Sequence, residues 1–291
     1  MINIDNIKKD FEENGYVVIP DILTPKEITE CRNEFFKWLN SIPNLNEIHK
    51  IIDFNGIFKY YQVGHQRFAW LLRTNPKIIN IFKKLWDTDE LVCSFDGCCY
   101  YSPDYMGNPH YWTHTDQIST QKGLHCIQSF LSLTDNKERT LIVYQGSHKL
   151  HEEYFKNCND MTSFNIIDEA YIHQIENKKK YLNVKAGSLV LWDSRTFHQN
   201  TCGRPTCEEE RLVQYLCYLP KNNFDNRMGH HHRMDFYNNL RTTGHCPYPL
   251  SAIPLQPNSY NSLYNDNFVI NYSELPKPDL SDLQEKINKL L

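Results

Sequence analysis

The sequence has little of what would commit a chain to a membrane, a nucleic acid or a structural zinc. No run approaches the roughly 18 consecutive apolar residues of a membrane-crossing helix. The opening MINIDNIKKDFEENGYVVIP places acids where a signal peptide carries its apolar stretch. Lys and Arg form no long run and the formal net charge is −4, which argues against a polyanion-binding stripe and so against nucleic acid as a partner. There are 10 cysteines, but no C-x-x-C pair. Cys93 and Cys98 stand five apart, as do Cys202 and Cys207, and Cys98–Cys99 are adjacent. Free thiols in a cytoplasmic protein with no membrane partner are the expectation. Internal repeats and linker-like composition are missing too.

What is present fits one domain spanning 1–291. A chain of 291 residues, 40% hydrophobic and 23% charged, can bury about 75% of its unfolded surface. Residues 1–90 read as mostly helical with one early strand. Asp5 to Asn14 gives a short helix ended by Gly15, and Tyr16–Val17–Val18–Ile19 a strand stopped by Pro20. Thr24–Pro25–Lys26–Glu27 is a capping box with proline in the first turn. The helix it opens carries Ile28, Cys31, Phe35 and Leu39 at helical spacing. Pro76 begins another, with Ile78, Ile79, Phe82 and Leu85 on one face.

Between 91 and 220 the pattern changes to short apolar or alternating runs split by turn residues. Leu91–Tyr101, Cys126–Leu133, Leu141–Gln145, Ser188–Trp192 and Arg211–Leu219 read as strands with no helices between them. That pattern predicts a mainly β fold with flanking helices, built on a double-stranded β-helix (jelly-roll, cupin-like) core closed as a barrel. Residues 221–291 read as long loops wrapping the core, ending in an amphipathic helix over Ser281–Leu291 with Leu283, Ile287 and Leu290 inward.

Within this frame His114–Thr115–Asp116 and the distant His198 stand out. Two imidazoles and one carboxylate are the ligand set that holds non-haem Fe(II) on one face and leaves other positions open. On a strand, residues two apart point to the same side, so His114 and Asp116 can share an ion while Thr115 faces away. His198 follows the apolar strand Leu189–Trp192 through a bend, far enough along the chain for a facing strand to supply it. Three unrelated polar residues at strand ends would give the same spacing.

The residues around them carry a resemblance. Phe11 to Pro20 (FEENGYVVIP) with Leu23 to Glu27 (LTPKE) resembles the opening helix–strand–helix of the phytanoyl-CoA dioxygenase family of Fe(II)/2-oxoglutarate oxygenases. Tyr111 to Gln117 (YWTHTDQ) resembles its metal-binding strand. Gln145 to Lys149 (QGSHK) resembles its P-G-S-H-K turn, and Lys185 to Trp192 (KAGSLVLW), leading to His198, its second metal segment. The four occur in the family's order along most of the chain.

The resemblance implies that His114, Asp116 and His198 are iron ligands and that the cofactors are Fe(II), 2-oxoglutarate as cosubstrate and O2, with ascorbate as a candidate reductant. It also asks for a base about a dozen positions past the distal histidine. Arg204 and Arg211 are near, and Arg211, opening a strand, suits a bidentate fork better. Asn200 and Gln128 are candidates for the same cosubstrate, Asn200 with a turn cap as the competing role. The implied activity is hydroxylation of an unactivated C–H in a small or medium organic substrate, releasing succinate and CO2. Related halogenases replace the triad carboxylate with a small residue, so Asp116 favours hydroxylation. A catalytically idle jelly-roll binding module and a metal-dependent hydrolase using the same triad are the rival readings.

Other residues carry weaker signals. His230–His231–His232 reads as a solvated loop and His148 as a hydrogen-bonded turn residue. The segment Leu240 to Pro247 resembles a late segment of some family members, with no role beyond lining the site. Tyr100, Tyr111 and Trp112 flank the metal strand, either as an apolar wall for the substrate or as plain core packing. Asn136 to Thr140 stands where many members have a Gly-rich turn, usually at the mouth of the barrel, so the substrate is expected to differ from those of better-known members.

Overall fold

The structure, a computed structural model, describes residues 3–255 and 271–291. Its helices begin for local reasons. α1 (Ile4–Asn14) is capped by Asn3, whose side chain accepts the Asn6 N–H, and ends at Gly15 in the left-handed region (φ 78°). β1 (Tyr16–Ile19) follows. α2 (Pro25–Ser41) opens on the complete Thr24–Glu27 capping box and buries Cys31, Phe35, Trp38 and Leu39, with Ile28 only partly buried. α3 (Leu45–Ile52), β2 (Ile57–Phe58), α4 (Arg67–Arg73) and α5 (Pro76–Trp86) complete the helical part. In α5 the inward stripe is Ile78, Ile81 and Phe82, with Ile79 and Leu85 partly buried at its edges.

The strands are β3 (Leu91–Cys93), β4 (Cys98–Tyr101), β5 (His114–Thr115), β6 (Ile127–Ser132), β7 (Leu141–Tyr144), β8 (Asn165–Ile166), β9 (Lys179–Tyr181), β10 (Leu189–Asp193), β11 (His198–Asn200) and β12 (Arg211–Pro220). All their pairings are antiparallel. The larger sheet runs β1-β10-β6-β12-β4-β2 with β3 also on β12, and the smaller runs β8-β5-β11-β7-β9. Among the described residues no strand pair joins the two sheets, so the expected jelly-roll core is an open double sheet, not a closed barrel.

Period-two alternation sorts the side chains of the larger sheet between two cores. Leu189, Leu191, Leu131 and Leu212 face the helices and pack with Phe11, Phe35 and Trp38. Val190, Trp192, Phe130 and Val213 face the smaller sheet and meet Leu141, Val143 and Leu182. The far side of the smaller sheet has its own cluster of Ile142, Tyr144, Ile167 and Phe197. Each such fully buried side chain contributes about 1.5–3 kcal/mol.

Three expectations are corrected. The single strand over Leu91–Tyr101 is interrupted at 94–97: Cys93 pairs with Tyr218 and Cys98 with Gln214, so four residues face three of β12, as in a bulge. The Ser94 N–H and the Gly97 carbonyl are still bonded to Cys217 and Tyr215. The β region is not free of helices, since α6 (His151–Tyr154) and α7 (Glu169–Gln174) interrupt it. The C-terminal wrap is not all loop. It contains α8 (Phe224–Met228) and α9 (His230–Asn238), so the three histidines lie on a helix. Buried Arg233 ties α9 down by donating to the Pro247 carbonyl at 2.7 Å, a long-range contact that no local pattern announces. Residues 256–270 of the expected loops lie outside the described residues. At the C-terminus a 3-10 turn (Ser281–Leu283) precedes α10 (Gln284–Asn288), and Leu283, Ile287 and Leu290 are buried as expected. No helix among the described residues is long and apolar enough to cross a membrane.

Candidate metal centre

β5 and β11 are neighbours in the smaller sheet, and their register places His114 directly opposite His198. The two rings lie 4.4 Å apart. The chain turns after β5 because the Ser194 carbonyl accepts the Thr115 hydroxyl at 2.8 Å and the backbone N–H groups of Asp116 and Gln117 at 3.1 Å. Thr115 thus faces away from the site, as expected, and staples the first metal segment to the bend that leads into the second. Asp116 Oδ2 comes to 3.7 Å from His114 Nε2 and 3.4 Å from His198 Nε2. The three ligand atoms lie within 4.8 Å of one another, the only such His/Cys/Asp/Glu group among the described residues able to hold a metal ion.

The hydrogen bonds behind the ligands fix their state. His114 Nδ1 donates to the Trp112 carbonyl at 3.0 Å, and His198 Nδ1 donates to the Thr196 carbonyl at 2.8 Å. With Nδ1 engaged in this way, each ring turns its Nε2 toward the centre, as a metal-binding imidazole must. Burial alone would push the Asp116 carboxyl up, but the adjoining His114 outweighs it, with His245 and His198, and holds it well below the usual carboxylate range. Burial, and next the neighbouring His114, lowers His198. A carboxylate oxygen and two ring nitrogens therefore converge on one point, a donor set that can hold a cation.

The remaining candidate residues occupy two positions. Gln128, on the inward face of β6, donates from Nε2 to Asp116 Oδ2 at 2.8 Å, so it touches a ligand directly. Asn200 lies on the same face of β11 as His198, and its Nδ2 donates to the Tyr215 hydroxyl at 2.9 Å. Behind these two, Arg211 is completely buried. It donates to the Arg139 carbonyl at 3.0 Å and to Asn200 Oδ1 at 3.2 Å, and lies 5.1 Å from the Phe130 ring centre. Its Nε has no partner and no carboxylate reaches it among the described residues. Arg204, the other candidate, is exposed and paired with Glu138 at 2.9 Å.

A cavity of about 340 Å³ opens over the triad, with Gln128, Trp192, Asn200 and Tyr215 on its walls. Trp112 stacks on the His114 ring at 4.8 Å and Phe164 covers it at 4.6 Å. Of the three aromatics read as a substrate wall or as core packing, Trp112 alone lines the cavity. Tyr100 packs on Phe35 in the helical core, and Tyr111 donates to the Ile167 carbonyl beyond the smaller sheet. The turn at Asn136–Thr140 carries the buried Arg139, which donates to the Ser102 and Tyr105 carbonyls at 2.6 Å and whose own carbonyl holds Arg211. Sequence reasoning missed Lys59, Asp96, Phe164 and Trp192 as lining residues. Gly244 and His245, within the late segment expected to line the site, do line it.

Two packed antiparallel sheets with a buried His-Asp-His group between them define a jelly-roll, cupin-like fold that carries a candidate metal centre. Residues 11–201 match the family model described as "Phytanoyl-CoA dioxygenase (PhyH)", and the chain belongs to that family, whose chemistry is that of oxidoreductases. It is 30% identical over 241 residues to "Ava biosynthesis cluster protein O" of Aspergillus versicolor, covering 74% of this chain and 77% of that one. Among solved structures it is similar to the non-heme alpha ketoglutarate dependent carbocyclase SnoK from nogalamycin biosynthesis (TM-score 0.54, 19% identity, 74% of this chain and 83% of that one). It is also similar to EctD from S. alaskensis, solved with 2-oxoglutarate and 5-hydroxyectoine (TM-score 0.54, 18% identity, 76% and 77%).

Proposed function

We propose that this protein is an Fe(II)- and 2-oxoglutarate-dependent dioxygenase that hydroxylates an unactivated C–H of a small or medium organic substrate. The observation that carries the reading is the pairing of two features across one cavity. Three lone-pair donors converge at one end, and a buried guanidinium without a carboxylate stands behind the other. An unpaired buried cation is costly, and a bidentate carboxylate is what its fork fits. Membership of the family and the small-molecule ligands of the similar proteins support the same reading.

Bound Fe(II) would supply the activation of O2, with one oxygen atom passing to succinate and the other to the hydroxylated product, and CO2 released. The chain's own part is to bind, orient and exclude water. His114 and His198 would hold the metal through Nε2 and Asp116 through its carboxylate, which Gln128 keeps in place. Arg211, with Asn200 as its neighbour, would receive the distal carboxylate of 2-oxoglutarate. Trp192 and Leu141 line the space between and keep it apolar, which strengthens each charge interaction there. Ascorbate is the candidate reductant for iron oxidised in unproductive turnover.

Succinate formation tests this directly. Release that requires both Fe(II) and O2 is expected, falling to background in Asp116→Ala. Activity in the variant equal to that of the unsubstituted protein would remove Asp116 from the metal and overturn the reading.

A further inference from the structure

The cavity over the triad is one of two that meet at the same residues. A second, of about 580 Å³, also has Asp116, Gly244 and His245 on its wall, so these three are shared between the chambers. The second chamber is lined by neutral polar groups such as Gln117, Gln121, Ser194 and Asn226 and by apolar ones such as Trp86 and Leu219, with His125 and Asp225 beside them. Among the described residues neither Lys nor Arg lines it. In the first chamber Lys59 is the one such lining residue described, and it is already engaged with Asp53 at 3.6 Å. A phosphate-bearing substrate is normally met by guanidinium or ammonium groups, and this pair of chambers offers an acid instead.

The interruption of the strand ladder at 94–97 supplies that acid. A bulge re-aims a side chain, and Asp96 joins the wall of the first chamber. Its Oδ1 accepts the Gly97 N–H at 2.7 Å, and no protein donor among the described residues reaches the other oxygen. Neither ring nitrogen of His245 has a protein partner among them. Both groups line the first chamber together with Asp116 and Gly244. An accepting oxygen and an uncommitted imidazole thus face the space left for the substrate.

We propose that the substrate is a free, uncharged small molecule, not a CoA thioester, that presents a hydroxyl or amide N–H to Asp96 and extends past Gly244 and His245 into the second chamber. This rests on the oxygenase reading of the triad and names the class of molecule that site would take. Gly244 makes the passage testable. A Cβ built on it meets nothing within 4 Å, and its backbone lies outside the left-handed region, so a larger side chain there fills the junction without straining the chain.

The experiment is ligand-observed NMR on the Ni(II)-loaded, 2-oxoglutarate-bound protein, with a set of neutral amide and alcohol fragments and, separately, octanoyl-CoA. Amides and alcohols are expected to bind, octanoyl-CoA not. Gly244→Leu is expected to weaken fragment binding at least tenfold, and Asp96→Asn to weaken donor-bearing fragments selectively. His245→Ala, which only removes atoms, covers the case in which a folded Gly244→Leu is not recovered, and is expected to admit branched fragments that the unsubstituted protein excludes. Binding of octanoyl-CoA, or fragment binding indifferent to all three substitutions, overturns the proposal. Succinate formation by the unsubstituted Fe(II) protein, measured without added substrate, reports on the oxygenase reading separately, so the two can fail independently.

Discussion

Two residues behind the ligands give the sharpest measurements. Gln128 contributes a single donor to Asp116, and losing such an outer partner typically costs about 10–100-fold in metal affinity. Gln128→Leu is therefore expected to weaken Co(II) binding by roughly that factor in a calorimetric titration, with the fold retained because leucine suits the apolar wall. Unchanged affinity would show that Asp116 is held without it. Arg211 is tested through the cosubstrate. Arg211→Ala is expected to raise the 2-oxoglutarate KM by about two orders of magnitude, on the basis of about 2–4 kcal/mol for severing a buried charge pair. A KM shift in Arg204→Ala instead would move the role to the turn. At this scale much was legible in the chain: two histidines and one aspartate at strand spacing, and one arginine opening a strand. Asp96 was not, because a lone acid in an apolar run gives no sign that the ladder breaks around it.

Among the elements, the family-like motifs explain themselves by where they meet. The Gly15 carbonyl accepts the Asp193 N–H and the Thr196 hydroxyl, both at 2.9 Å. His148 donates to the Glu12 carbonyl at 3.1 Å, and the Ser147 hydroxyl oxygen accepts the Phe197 N–H at 2.8 Å. The helix–strand opening and the G-S-H turn therefore clamp the bend that delivers His198. A Cβ on Gly15 would come within 2.4 Å of His148 Nδ1 and 2.7 Å of Thr196 Oγ1, at a left-handed φ. Gly15→Ala is expected to cost about 1–3 kcal/mol by overpacking and backbone strain, read by urea denaturation. It should also weaken metal binding, since the His198 bend shifts with it, whereas Thr24→Ala, remote from that bend, should lose only about 1 kcal/mol of cap energy. Equal effects on metal binding would separate the clamp from the site. Helix starts were readable from Thr24–Glu27 and Pro76 because capping is local. α9 was not, because its helical state depends on a buried arginine reaching Pro247.

For the molecule as a whole, buried histidines set the response to acid. Burial pushes His49 from 6.5 down to about 4 and His65 down to about 3. The unfolded chain protonates both near 6.5 while the folded one does not, so stability is lost as pH falls below 6.5. Asp96 works in the opposite sense, because burial pushes it up from 3.8 to about 6 and the folded form takes a proton before the unfolded one. Each group contributes about 1.4 kcal/mol per pH unit while only one state titrates. Between pH 6 and 4 these two histidines less this one acid contribute a loss of roughly 1.4 kcal/mol per pH unit. His148, His151 and His198, also lowered by burial, add to it, and Asp53, raised by burial, offsets it in part. Urea denaturation of the metal-free protein over that range should show this slope, and a flat profile would contradict it. Asp116, held low, keeps its contribution above the usual carboxylate range and surrenders it only in stronger acid.

The chain by itself determined which residues can coordinate an ion, which runs alternate and where the helices at Asp5, Thr24 and Pro76 start, because ligand chemistry, strand period and capping all operate within a few neighbouring residues. Only the tertiary structure decided that the double sheet stays open, that Gln128 holds a ligand, and that Arg211 waits without a carboxylate. It also decided that a second chamber lies beyond Gly244. Each of those facts depends on segments far apart in sequence coming within hydrogen-bonding reach, and no periodicity records which distant partner a side chain will meet.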